Sequence, residues 1–230
     1  MARLVFIRHA HSTANDAGIL SGQLPGVTLS KKGKKQAQLL VDRLGPSEFH
    51  SVRVSPMQRC EETISPWLLS SHSKGIKNYF IDNSLIEVDY GQWSGRKLSS
   101  LSKEKLWKAI QDKPSSVEFP GGEKIRSMQK RAISSVHDAL KQSKNGTHLF
   151  VSHGDVLKAI VASLLKIKLD DFQSLVIDPA SITIVDFDGD KSRLIAFNDS
   201  HSPVAPMLTM EKSVKALLGG GVRKNKAVRR

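Results

Sequence analysis

An α/β fold is what this chain predicts: a three-layer sandwich with a mostly parallel central sheet flanked by helices. Three observations carry that expectation. Residues 4–7 are a continuous apolar run that reads as a buried strand, since both faces of a parallel sheet are covered, and the short runs at 51–54 and 148–151 read as further strands. Helical patterns separate these runs, which is the alternation that parallel sheets require. Each run then ends in a polar cluster: Arg8-His9, Ser55 to Arg59, and Ser152-His153-Gly154. Ligands bind outside the carboxyl ends of strands in such sheets, so position alone gathers the three clusters.

The elements follow in order. Residues 10–29, rich in Gly, Ser, Asn and Pro, read as loop. Ser30 is a suitable N-cap for a helix reaching about Leu44, with Ala37, Leu40, Val41 and Leu44 on one face. Gly45-Pro46 ends it. Ser55-Pro56 after the second strand predicts a helix with Ser as cap and Pro at its first position, carrying Arg59, Cys60, Thr63 and Trp67. A further strand is expected at 79–81 and a mixed polar and aromatic loop at 84–95. One amphipathic helix is expected at 101–110, and a long one from about Glu123 to Lys141. Pro114 and Pro120-Gly121-Gly122 punctuate the segment between them. A helix at 155–165 follows the strand at 148–151, and residues 182–187 and 194–197 read as a hairpin around Asp188-Gly189-Asp190.

Composition narrows the class. The 230 residues are 39% hydrophobic and 25% charged, enough for one sizeable core. Cys60 is the single cysteine, which excludes an internal disulfide framework and suits a reducing compartment. The first strand starts almost at Met1, leaving no room for a signal peptide, and no apolar run approaches the ~20 residues of a membrane span. A cytoplasmic location and no membrane partner are therefore expected. The net charge is +13, and from Glu211 onward seven lysines and arginines accompany that one acid. The expected organisation is a domain over residues 1–205, with a cap-like insertion at about 96–119, and a basic, disordered tail over 206–230. A basic body favours anionic substrates.

The clustered residue types point to phosphoryl chemistry. A neutral imidazole attacks phosphorus without prior deprotonation, and the resulting phosphoramidate is open to water. His9 is the candidate nucleophile. Arg8 and Arg59 offer paired donors to phosphate oxygens and offset charge in the transition state. His153, if protonated, is a further donor, and Gly154 permits close approach of backbone to a ligand. The leaving oxygen needs a proton and the attacking water a base. Glu87 and Asp89, in the stretch Glu87-Val88-Asp89-Tyr90-Gly91-Gln92-Trp93-Ser94-Gly95, are both candidates on residue chemistry alone.

These residues together resemble the histidine phosphatase superfamily, whose fold is phosphoglycerate-mutase-like. Arg8-His9-Ala10-His11-Ser12 with Asn15 resembles its Arg-His-Gly-Glu/Gln opening. Ser55-Pro56-Met57-Gln58-Arg59-Cys60-Glu61-Glu62-Thr63 looks like its second-arginine helix. The stretch from Glu87 looks like its acid loop, Pro120-Gly121-Gly122-Glu123 like the turn before its long helix, and Val151-Ser152-His153-Gly154 like its second-histidine turn. The likeness covers roughly residues 3–198. It implies His9 as the phosphorylated residue, with Arg8, Arg59 and His153 binding the phosphoryl group. It also implies Glu87 as general acid and base, with Asp89 in support, and Asn15, Ser21 and Gly22 lining the phosphate pocket. Two departures stand beside the nucleophile. Ala10 replaces the usual glycine, so the turn must tolerate a β-carbon, and His11 stands where the family has Glu or Gln.

The resemblance implies an enzyme that needs neither metal nor cofactor, a phosphomonoesterase acting on a small phosphorylated metabolite. A mutase is the alternative. Mutases of the glycolytic type carry a basic cluster near an Arg-Arg pair and a proline-rich insertion. Residues 96–119 offer Arg96, Lys97, Lys103, Lys105, Lys108 and Lys113, but no adjacent arginines and only Pro114. Hydrolysis is therefore favoured over transfer. A second alternative is a nucleic-acid or anion-binding module that uses the basic tail; nucleic acid is not expected to bind elsewhere, and oligomeric state is left open.

Overall fold

The computed structural model describes residues 1–209, so the charged part of the expected tail, from Glu211 onward, lies outside the described residues. In chain order the elements are β1 (Ala2–Arg8), α1 (Thr13–Asp16), α2 (Lys31–Leu44), β2 (Ser51–Val54), α3 (Gln58–Leu68), β3 (Tyr79–Ile81), α4 (Leu98–Leu101), α5 (Lys105–Asp112), α6 (Ile125–Gln142), β4 (Thr147–Ser152), α7 (Gly154–Leu164), β5 (Ile182–Phe187), β6 (Ser192–Asp199) and α8 (Ala205–Thr209). The strands form one sheet in the order β3-β2-β4-β1-β5-β6. Strands β3, β2, β4 and β1 run parallel, and β5 opposes both of its neighbours.

Burial explains the sequence pattern. Alternate residues of β1 enter two different cores. Leu4 and Phe6 pack with Phe150 beneath Val156, Leu157 and Ile160 of α7 and Met128 and Ala132 of α6. Val5 and Ile7 pack on the other face with Leu40 and Leu44 of α2 and Ile64 and Trp67 of α3. A strand covered on both faces has no polar period, so β1 reads as a continuous apolar run. Arg3 interrupts that run. Its guanidinium pairs with Asp186 of β5 through Nε at 2.7 Å and Nη2 at 2.8 Å, so the buried cation is neutralised within the sheet.

This arrangement positions the site. β1 and β4 are parallel neighbours, with Arg8 opposite Ser152. The helix after β1 covers one face and the helix after β4 covers the other. Connections diverge at that point and open a crevice above the two carboxyl ends.

Several sequence expectations need correction. The Ser12 side chain accepts from the Asn15 amide and the Asn15 side chain accepts from the Ser12 amide, a capping box that builds α1 inside the expected 10–29 loop. Helix α3 starts at Gln58 with Met57 at its cap, so neither Ser55 nor Pro56 takes the expected capping role. The Ser55 hydroxyl is engaged instead by His153 Nε2 at 2.8 Å. The single helix expected at 101–110 is two, α4 and α5, separated by a turn at 102–104. The expected domain boundary at 205 falls at the start of α8, where Val204 and Leu208 are buried in the core beneath α2. No helix among the described residues is long and apolar enough to cross a membrane.

Candidate functional site

His9 follows directly on β1. Its amide donates to the Ser152 carbonyl at 2.8 Å, tying it to the end of β4. Its ring is almost wholly buried, and Nδ1 lies 2.8 Å from the Ala10 carbonyl. A carbonyl only accepts, so Nδ1 carries the proton and Nε2 keeps its lone pair. Burial, followed by the nearby Arg59 and Arg8, holds the His9 pKa well below the ordinary histidine value. The ring is neutral at physiological pH.

The residue after it explains how the turn tolerates alanine. Ala10 avoids the left-handed region, its methyl group packs in the α2–α3 core, and its amide donates to Thr63 Oγ1 at 2.8 Å. His11 turns away. Its Nδ1 lies 3.0 Å from Ser30 Oγ and 3.5 Å from Asp16, and its amide donates to Gln36.

Two arginines surround the imidazole with unused donors. Arg59, one residue inside α3, is fully buried. Its Nη2 donates to the Gly22 carbonyl at 2.8 Å and to His153 Nδ1 at 3.1 Å, while Nε and Nη1 have no hydrogen-bond partner. Arg8 donates through Nη1 to the Ile177 carbonyl at 2.7 Å, and its buried Nε is likewise unpartnered. Neither arginine has a salt bridge among the described residues. Buried N–H groups left without acceptors are costly, and an entering oxyanion satisfies them.

His153 faces His9 across the β4–β1 boundary, with ring centroids 5.2 Å apart. A guanidinium only donates, so His153 Nδ1 accepts from Arg59 and Nε2–H donates to Ser55. Burial, then Arg59 and His9, depress its pKa well below the ordinary value. In the free site His153 is therefore neutral and holds Arg59, where the sequence reading considered a protonated donor. Cys60 Sγ lies 3.5 Å from His153 Nε2, and burial pushes its thiol up to about 12, so it stays protonated.

Glu87 closes the site from the acid loop. Its Oε2 is 3.7 Å from His153 Nδ1, and Oε1 accepts from the Val88 amide at 2.9 Å. Burial and the like charge of Asp155 push its pKa up to about 7, against the opposing pull of Arg59 and Arg8. The loop is clamped by Arg131 of α6, which donates to the carbonyls of Ser84, Ile86 and Glu87 and pairs with Glu123. Asp89 does not enter the cavity. Its carboxylate accepts from the Gly91 amide at 2.9 Å and shapes the turn.

The cavity above these groups holds about 290 Å³, and Arg8, His9, Asn15, Ser21, Gly22, Glu87 and Gly154 all line it. Arg59 and His153 are fully buried and do not line it; Arg59 reaches the cavity wall through the Gly22 carbonyl, and the His153 ring lies against His9. The Asn15 carbonyl oxygen is taken by Ser12, so its amide NH2 is the group left for a ligand. Gly22 sits at φ +52°, and a Cβ there would lie 2.8 Å from Ser94 Oγ and 3.1 Å from Tyr90. The Gly22→Ala variant is expected to strain this turn and displace the carbonyl that holds Arg59. A KM rise of several-fold with a lowered thermal midpoint would show this; unchanged values would show that the turn adapts.

The model of the histidine phosphatase superfamily (branch 1) matches residues 4–200. The chain belongs to the histidine phosphatase superfamily. It is 29% identical over 200 residues to phosphoserine phosphatase 1 of Hydrogenobacter thermophilus, covering 86% of this chain and 92% of that protein. It is 28% identical over 183 residues to the 2,3-bisphosphoglycerate-dependent phosphoglycerate mutase of Thermoplasma acidophilum, covering 79% and 86%. Among solved structures, YhfR of Bacillus stearothermophilus superposes with a TM-score of 0.78 at 24% identity, covering 86% of this chain and 98% of that one. That likeness concerns the fold, and the mixed sheet flanked by helices agrees with it.

Other residues that line the cavity were not legible beforehand. Asp155 accepts from Tyr90 Oη at 3.0 Å and pairs with Lys158 at 3.4 Å, and Lys158 also donates to Gln173 at 3.0 Å. All four line the cavity. Asp155 follows Gly154 directly, and a carboxylate in the first turn of a helix ordinarily signals only a favourable dipole contact.

Proposed function

We propose that this member of the superfamily is a phosphatase that hydrolyses a small phosphorylated metabolite through a phosphohistidine on His9. The observation that carries the reading is the set of unpartnered buried donors on Arg59 and Arg8 beside a neutral imidazole with Nε2 free. Such a set of donors suits a multiply charged oxyanion.

In the first step His9 Nε2 attacks phosphorus and a P–N bond forms. The P–O bond to the alcohol breaks, and the departing oxygen takes the proton of the Glu87 carboxyl. Arg8 and Arg59 donate to the phosphoryl oxygens as charge builds on them. The bound dianion also favours the charged form of His153: a proton taken up from solvent at Nδ1 replaces the bond received from Arg59 and is donated to the phosphoryl group. In the second step Glu87, now a carboxylate, takes a proton from water, the water oxygen attacks phosphorus, and the P–N bond breaks. His9 returns neutral. The arginines supply the positive charge for both steps, so turnover is expected to persist in EDTA. A reducing, cytoplasmic setting suits the buried thiol of Cys60.

The protonation state of Glu87 tests this reading. With its pKa raised to about 7, the acid form that step one needs is lost as pH rises. The expected kcat/KM falls above about pH 7, by roughly tenfold per unit, as the acid form of Glu87 is lost. In Glu87→Gln that limb should vanish. An alkyl phosphate should lose about 10²- to 10⁴-fold in kcat/KM, and p-nitrophenyl phosphate far less, because its leaving group needs no proton. Retention of the limb in the variant would remove Glu87 from the acid role.

Transfer in place of hydrolysis is the second reading, favoured by the similarity to the Thermoplasma acidophilum mutase. Isomerisation of 3-phosphoglycerate with a bisphosphate primer, faster than phosphate release, would select it.

A further inference from the structure

Beside the catalytic cavity lies a second, apolar one of about 190 Å³. Its walls include Trp93, Trp107, Phe119, Phe172, Ile110 and Met128. They come from the acid loop, the α4–α5 region and the elements beneath it. Trp93 and Trp107 stack at 6.3 Å, and Phe119 meets both Trp93 and Tyr90 edge-on at 5.7 and 4.9 Å. Cavities of ~150 Å³ lined by apolar groups accept benzene, so this one has room for a six-membered ring.

The two cavities meet. Leu20, Tyr90, Leu98, Asp155 and Gln173 line both. The direction of the reaction also connects them. Glu87 gives its proton to the leaving oxygen, so the rest of the alcohol emerges on the Glu87 side. Val88, the next residue, is already part of the apolar lining. Charged leaving groups gain nothing from such walls, whereas an aromatic ring placed there leaves water and packs against aromatic faces.

We infer that this apolar cavity is the leaving-group subsite, and that the substrates it selects are phosphomonoesters of alcohols bearing an aromatic ring. This rests on the reading of His9 and Glu87 above. It narrows the anionic-metabolite expectation drawn from the lysines of residues 96–119. Lys105 and Lys108 of the cap helix α5 are exposed, while Trp107 and Ile110 of that helix line the cavity.

The test compares 2-phenylethyl phosphate with ethyl phosphate, two esters with closely matched leaving-group chemistry. The wild type is expected to show a kcat/KM ratio of about 10 to 100 in favour of the aromatic ester, from burial of the ring. Ile110→Trp, which puts an indole into the cavity, should collapse that ratio toward one. Equal kcat/KM for the two esters in the wild type would overturn the subsite, as would a preference that survives in a folded Ile110→Trp. If Ile110→Trp does not fold, the wild-type ratio decides alone. If neither ester releases phosphate in a His9-dependent way, the parent reading fails instead. Calorimetric titration of the wild type with 2-phenylethanol then judges the cavity, saturable binding supporting it and no binding overturning it.

Discussion

His9→Ala is expected to lower kcat/KM for p-nitrophenyl phosphate by at least about 10³-fold while leaving the protein folded. The size follows from the chemistry. Without Nε2 there is no P–N bond, and the remaining donors and Glu87 can only assist direct attack by water. The fold should survive because the backbone amide of residue 9, not its ring, makes the bond to Ser152 that ties β1 to β4. Among the described residues the ring's one hydrogen bond is to the adjacent carbonyl of Ala10. Added imidazole, fitting the space left by the side chain, should restore a measurable fraction of turnover. Activity within tenfold of wild type would refute the assignment.

Arg59→Met should separate activity from stability. The guanidinium is wholly buried, with two nitrogen atoms unpartnered and no carboxylate paired to it among the described residues. Burying such a charge costs several kcal/mol, which methionine removes. Against this, the Gly22 carbonyl and His153 Nδ1 lose their donor, at about 1–3 kcal/mol each. The two effects nearly offset, so the thermal midpoint should stay within about 5 °C. Turnover should fall by about 10²- to 10³-fold, the usual consequence of removing a donor aimed at developing charge. Inorganic phosphate should raise the wild-type midpoint, by an amount equivalent to about 2.7 kcal/mol at a hundred times its dissociation constant, and raise the variant's far less. Equal stabilisation of both proteins would place the anion elsewhere.

Strands were legible because burial on both faces leaves a continuous apolar signature. The run at 4–7 falls within β1 for that reason, and the Ser30 cap of α2 was readable because its hydroxyl bonds locally, to the Gly33 amide. Ser55 carries the same local signal and does otherwise. Its partner is His153, distant in sequence, and tertiary geometry overrode capping preference. The helix expected at 101–110 is divided at Ser102-Lys103-Glu104, where Leu101 and Leu106 stand five residues apart and no single apolar face runs through.

The site divides in the same way. Arg8, His9, Gly154 and His153 lie at or beside strand ends, which the strand pattern located. Choosing Glu87 over Asp89 needed the family resemblance; the structure separates them by burial, with Glu87 in the cavity and Asp89 on the Gly91 amide. Tyr90, Asp155, Lys158 and Gln173 form one polar chain across three elements. No spacing in the sequence brings those together. The apolar cavity was equally hidden, since aromatic residues at helical and loop positions read as ordinary core.

The most direct test of the covalent mechanism is to trap the phosphoryl group. Wild-type enzyme mixed with a labelled phosphomonoester, quenched within milliseconds in alkali and digested, should carry the label on the peptide containing His9. The linkage should be stable in alkali and lost in acid, as a phosphoramidate is. Label on any other residue, or rapid alcohol release with no label on the protein at any quench time, would contradict the account.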